Sequence, residues 1–218
     1  MDRPADRIAV RDVIRERIFE RILDGTYPAG FRVVQSHLAS EFGTTHAPVR
    51  EALRDLEDMR FIKSQPHAGA QVRAVTVENL GQIYPVRAAL EELAGRAAAS
   101  RITDEALAAL GEELQAMRCA AEAGEIHRQL VHDARFHEII VETSGNPALL
   151  EAWRSLRVMG STLVSVIKAG TSLRMIVETH QPLLDALRSG DPELAGRKMR
   201  AHIEFFGSFA AGPRAATH

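Results

Sequence analysis

The chain has 218 residues, 45% hydrophobic, 26% charged and only 5% aromatic, which is enough for one large globular domain or two modest ones and argues against disorder. Its 27 basic and 29 acidic side chains leave a net charge of −2, so any surface for a polyanion or a membrane must be local. A single cysteine, Cys119, excludes an intrachain disulfide framework and fits a reducing, cytoplasmic setting.

The start, MDRPADRIAV, places charge where a signal peptide needs an apolar core, and no later run reaches the roughly 18 apolar residues of a membrane span. Val10, Val13, Ile14, Ile18 and Ile22 recur at three and four residues and predict an amphipathic helix ending at the turn-rich stretch Asp24 to Gly30. A short second helix carries Leu38, Ala39 and Phe42 inward and breaks at Gly43. Thr45 is placed to cap a third helix, whose first turn tolerates Pro48. Two helices joined by a few residues suggest helix-turn-helix. Ile62 to Gln65 and Ala70 to Val75 read as short strands around the turn-forming Pro66-His67-Ala68-Gly69, a candidate wing. The strand-like pattern ends near Val75, and the chain is divided there into residues 1–75, with net charge +1, and 76–218, with −3.

At 100° per residue, Val49, Ala52, Leu53 and Leu56 share an apolar sector of the third helix. Arg50 and Arg54 stand together on an adjoining face, and Glu51, Asp55 and Asp58 share another. On an isolated helix this describes a solvated surface of mixed charge. At the start of the second helix of a helix-turn-helix it also meets the need of major-groove readout, because Arg can donate two hydrogen bonds to guanine O6 and N7.

The stretch HLASEFGTTHAPVREALRDLEDMRFI, followed by HAGAQV, resembles the winged helix-turn-helix of GntR-type bacterial transcription regulators over nearly all of residues 8–75. The resemblance implies that Thr45, His46, Arg50 and Arg54 approach double-stranded operator DNA and that the wing around His67 to Gly69 reaches the minor groove. Three departures stand out. His46 and Ala47 replace a common Arg and Thr, Arg60 replaces a common Gly at the end of the recognition helix, and Ala68 occupies a wing position often basic in relatives.

From Thr76 to Phe209 the spacing predicts six bundle helices. The first carries Leu80, Ile83, Tyr84, Arg87, Leu90, Leu93 and Ala97, and the second Leu107, Leu110, Leu114 and Met117 up to Gly124. The third runs through Leu130, Ala134, His137 and Val141, and Asn146 with Pro147 opens a fourth containing Leu150, Trp153, Leu156 and Leu163. The fifth holds Ile176, His180, Leu183, Leu184 and Leu187, and the sixth Leu194, Met199, His202, Ile203 and Phe206. The tail beyond Gly212 is expected to be disordered.

Asp133 and His137 share a face of the third helix, while His180 and His202 interrupt the apolar stripes of the fifth and sixth. Singly, each reads most simply as a hydrogen-bonded core residue. Together, one carboxylate and three imidazoles form the mixed N/O donor set of zinc and other late first-row cations, with positions left for a ligand carboxylate. Arg87, one helical step from Tyr84 and Glu91, is either half of a solvated salt bridge with Glu91 or a clamp for an organic acid. His127 and His132 fit no ligand pattern and read as surface residues; Cys119 and Trp153 read as bundle packing.

The segments DARFHEII, ETHQPLLDALRSGD and KMRAHIEFF are similar to the FCD ligand-binding domain of the FadR subgroup of GntR-type regulators, over roughly Val77 to Phe209. Resemblance to its metal-binding members implies that Asp133, His137, His180 and His202 hold a divalent cation, zinc first with nickel or manganese as alternatives, beneath a small carboxylate effector. The expected fold is mainly α: a winged helix-turn-helix at 1–75, an all-α effector bundle at 76–210 and a tail at 211–218. The expected function is a cytoplasmic, homodimeric DNA-binding regulator, read as a repressor, whose operator affinity is modulated by a small carboxylate metabolite at the metal, Arg87 contributing to its binding. Two alternatives stand beside it: a regulator for which the cation itself is the signal, and a metalloenzyme using the same His/Asp site. Against the enzyme, His137-Glu138 is not followed by a His at HExxH spacing, and the paired Glu-x-x-His segments of di-iron bundles are absent.

Overall fold

The computed structural model describes residues 4–23, 26–59, 61–65, 69–73, 77–156, 158, 162, 166, 170 and 172–210. It divides into two compact units, Met1–Val75 and Thr76–His218.

The first unit runs α1 (Pro4–Leu23), β1 (Arg32–Val33), α2 (Gln35–Glu41), α3 (His46–Asp58), β2 (Ile62–Gln65) and β3 (Gly69–Val72). The strands form an antiparallel sheet in the order β1-β3-β2, with Val33 opposite Ala70 and Ile62 opposite Val72. Its core collects Ile14, Ile18 and Phe19 from α1, Leu38 from α2, Val49, Leu53 and Leu56 from α3, and Phe61, Ile62 and Val72 around the sheet. Each such side chain, fully buried, contributes about 1.5–3 kcal/mol of transfer free energy, which is what holds so small a unit together. Val13, expected on the buried stripe, is 60% exposed; Phe19 takes the inward place and meets Phe61 edge-on at 5.1 Å. Strand β1 is absent from the sequence reading because two residues carry no alternation, and its pairing is dictated by β3. Gly69 makes that pairing possible: its φ is +83°, and a Cβ there would stand 2.7 Å from the carbonyl oxygen of Val33.

The second unit contains α4 (Val77–Ala99), α5 (Asp104–Ala123), α6 (Ile126–Thr143), α7 (Pro147–Ser155), α8 (Leu173–Glu178), α9 (Gln181–Arg188) and α10 (Pro192–Ala210). Thr103 Oγ1 accepts the Ala106 N–H at 3.2 Å to start α5, and Gly124, at φ +73°, ends it. Asn146 Oδ1 accepts the Leu149 N–H at 3.1 Å and Pro147 fills the first turn of α7. Helices α4 and α10 approach so closely that a Cβ on Gly95 would meet Met199 Cγ at 2.7 Å. Leu110, Leu114, Met117, Phe136, Ile140, Trp153, Leu183 and Leu187 belong to the core.

The predicted fifth helix is two helices, α8 and α9, with Thr179 and His180 between them. Pro182 explains the break, since it has no N–H to continue the α8 ladder and is accommodated in the first turn of a new helix. Leu93, expected inside, is 51% exposed. Leu163 and the tail 211–218 lie outside the described residues. No described helix is long and apolar enough to cross a membrane.

Candidate functional site

In the first unit, α3 presents its Val49, Ala52, Leu53 and Leu56 sector to the core, which leaves Arg50 and Arg54 exposed on the outer face. Those two side chains, with His46 from the first turn of α3, Arg32 from β1, Ser36 from α2 and Ser64 and Gly69 from the sheet, line a groove of about 680 Å³. Thr45 occupies the N-cap position with extended backbone, but its hydroxyl makes no capping hydrogen bond. The acidic sector of α3 is not simply solvated: Asp55 Oδ2 is 3.3 Å from Arg15 Nη1 of α1, so it helps seat the helix. His67, Ala68 and Arg60 lie outside the described residues.

In the second unit, α6, the corner between α8 and α9, and α10 bring His137, His180 and His202 together. One ligand nitrogen from each lies within 4.8 Å of the others, and all three residues are buried. Ring centroids are 5.4 Å apart for His137 and His180, 5.1 Å for His137 and His202, and 4.6 Å for His180 and His202. Asp133 Oδ1 stands beside the cluster, 3.1 Å from His180 Nε2. Burial pushes the Asp133 carboxyl up, but the adjoining His180, then His137 and Arg87, outweigh it and hold the carboxyl below its usual range. His202 is pushed well below an ordinary imidazole by burial and then by the neighbouring His180, His137 and Arg87, so it is held neutral with a lone pair to donate.

The donor set fits a divalent cation. Both ring nitrogens of His137, Nε2 of His180 and Nδ1 of His202 are buried without a hydrogen-bond partner; the close approaches of Glu91 to His137 Nδ1 and of Asp133 to His180 Nε2 are not well-directed hydrogen bonds. Each such orphan costs about 1–3 kcal/mol, and several of them facing a carboxylate are what an ion would satisfy.

Arg87 and Glu91 form a buried pair beside this cluster, 2% and 0% exposed. Arg87 Nε donates to Glu91 Oε1 at 2.6 Å, and its Nη1 donates to Thr162 Oγ1 at 2.8 Å. Trp153 Nε1 donates to the same Glu91 oxygen at 2.9 Å, while Glu91 Oε2 stands 2.5 Å from His137 Nδ1. Burial alone would raise the Glu91 carboxyl, yet Arg87 and then His137 hold it at about 2.

The gntR family of bacterial regulatory proteins matches residues 10–72, and the FCD domain matches residues 82–205. A relative from Paenarthrobacter nicotinovorans, named "Probable D-xylose utilization operon transcriptional repressor", is 34% identical over 197 residues, 90% of this chain and 87% of its own. The chain belongs to the GntR family. McbR, an HTH-type transcriptional regulator of Escherichia coli, is 31% identical over 172 residues, 78% of each chain. The solved structure of E. coli McbR/YncC superposes with a TM-score of 0.64 at 27% identity, covering 91% of this chain and 93% of that one. A GntR regulator from Rhodococcus sp. RHA1, 20% identical, shares the fold with a TM-score of 0.62 over 96% and 99% of the two chains. The protein is a GntR-family DNA-binding transcriptional regulator, and the family and these relatives are regulators rather than enzymes.

Within the FCD domain, several side chains differ from their sequence reading. The Arg87–Glu91 salt bridge exists but is buried, not solvated, with Trp153, Thr162 and His137 contacting the pair. His127 is buried at 2% exposure, not on the surface, and His132 is half-buried with Nδ1 2.7 Å from Glu113 Oε2. Cys119 is exposed, not packed in the bundle. Trp153 packs as expected, with an indole hydrogen bond that gives it a second role. Glu91 is expected only as a surface partner of Arg87, and its place beside His137 is the functional role the sequence left unassigned; its signal is a carboxylate one turn beyond Arg87 inside an apolar stripe.

Proposed function

We propose that this GntR regulator represses transcription as a homodimer, gripping operator DNA through α3, and that a small organic anion bound over a divalent cation in its FCD domain changes operator affinity. The observation that carries the reading is the buried trio His137, His180 and His202, whose ligand nitrogens lie within 4.8 Å of one another. Asp133 is the fourth donor. The nitrogen-rich set favours zinc, with nickel and manganese as alternatives. When bound, the cation supplies Lewis-acidic positions to which carboxylate oxygens can attach.

Charge supports an anionic effector. Arg87 balances Glu91 and Asp133 remains, so these three side chains leave one negative charge beside the trio, which a dication would turn into one positive charge. An anion is repelled from the first state and attracted to the second. A monocarboxylate neutralises it. Arg87, beside the trio, also donates to Thr162 Oγ1. Repression is supported by the names of the relatives, which include the D-xylose repressor and a gluconate operon repressor of Bacillus licheniformis. In the DNA-binding unit, Arg50, Arg54, His46 and Gly69 border one groove, with Thr45 at the head of α3, and His67 belongs to the same proposed surface by resemblance. A homodimer predicts a pseudo-palindromic operator. Coupling of about 1–3 kcal/mol changes operator affinity from several-fold to about a hundred-fold.

The test is a thermal-shift and operator-binding screen of small organic acids on zinc-loaded protein. Expected is at least one acid that raises thermal stability and shifts operator affinity, both effects vanishing on chelation and in His180→Ala. Operator binding that follows free zinc alone, indifferent to every acid, would favour the cation-sensing alternative; acid effects that survive chelation would refute the metal-bound effector.

A further inference from the structure

Glu91 of α4 reaches two other helices of the FCD domain, besides Arg87 of its own, through two oxygens. Oε1 accepts from Arg87 and from Trp153 of α7, and Oε2 faces Nδ1 of His137 on α6 at 2.5 Å. A buried ion pair is expensive to assemble, and an apolar pair would fill the α4–α7 contact at least as well. What the pair provides is an oriented acceptor held against one edge of an imidazole. The ring edge that faces a carboxylate keeps its proton, and the opposite nitrogen presents its lone pair. His180 is held in the same sense, with Nδ1 2.8 Å from the carbonyl oxygen of Ile176. In both rings Nε2 is left without a hydrogen-bond partner.

We propose that Glu91 is the positioning residue of the cation site, fixing His137 as an Nε2 donor, and that the Trp153 indole on the other oxygen of the same carboxylate senses cation binding. The proposal rests on the cation reading above. With a cation on Nε2, Nδ1–H would be a stronger donor and would draw the Glu91 carboxylate from its present poorly directed approach into a hydrogen bond, loosening its bond to Trp153. Trp153 is the one tryptophan of the sequence and is 4% exposed, so its emission reports on this bond and on no other indole.

The experiment titrates Zn²⁺ and Co²⁺ into metal-free full-length protein and follows tryptophan emission beside the visible absorption of the cobalt form. In the wild type, emission changes and saturates with the same stoichiometry as the cobalt band. Glu91→Gln, checked for wild-type helical circular dichroism, binds about 10- to 100-fold more weakly and loses the emission change. Nitrogen-15 spectra of the wild-type histidines, which need no substitution, show His137 as the Nδ1–H tautomer. An Nε2–H tautomer, a silent wild-type tryptophan at full cobalt loading, or a Glu91→Gln protein with wild-type affinity and emission overturns the proposal while leaving the cation site standing. A wild type that binds neither ion overturns both.

Discussion

Arg50 and Arg54 were legible as a pair because an α-helix repeats its faces, and the buried sector of α3 leaves them no inward option. If Arg50 reads a guanine edge, Arg50→Ala should cost about 1–3 kcal/mol at one operator position and relax preference there. Binding measured across single-base operator variants checks this; an equal loss on every variant would assign Arg50 to phosphate instead. Glu57 carries a different expectation. The Ser64 hydroxyl and N–H both donate to its carboxylate, and the hydroxyl chiefly holds its pKa below the ordinary 4.5. A lowered carboxylate pKa stabilises the fold above that ordinary value, and the stabilisation is lost as pH falls through the lower folded value. Ser64→Ala should therefore cost about 0.5–1.5 kcal/mol at neutral pH and flatten the acid limb of stability, as read by urea unfolding across a pH series. Glu91 reads at this scale only as the surface partner of Arg87, because an Arg and a Glu four residues apart look like any exposed helix pair until the packing around them is known.

Helices whose ends are written in side-chain chemistry were placed well, and those ended by their surroundings were not. Thr103 and Gly124 bracket α5 with a cap and a left-handed turn, so Thr103→Ala should lower the stability of the FCD domain by about 1 kcal/mol, visible as a reduced thermal midpoint. The break between α8 and α9 was overlooked although Pro182 announces it, because the apolar spacing of Ile176, Leu183 and Leu187 continues across the corner. Strand β1 shows the opposite failure. It has no periodicity to read and owes its existence to a partner that arrives much later in the chain.

For the molecule as a whole, the division at Val75 was visible as a change from strand-like to helical spacing. The meeting of His137, His180 and His202 was legible only through residue type, since buried imidazoles on separate apolar stripes are costly unless they serve one another. Their geometry, with Asp133 beside the trio and Glu91 behind His137, required the fold. A cation bound only by the folded state stabilises it by mass action, about 2.7 kcal/mol at a hundred times its dissociation constant. Calorimetry with and without chelator should show the FCD transition moving down on chelation, and an unmoved transition would argue against a resident ion.

The corner between α8 and α9 carries one imidazole and steadies another: His180 belongs to it, and the backbone of Thr179 hydrogen-bonds His202. His137, by contrast, is mounted on the continuous rod of α6. Two of the three imidazoles therefore depend on a single corner, so if they hold the proposed cation, a small rotation of that peptide joint would move both donors together against His137.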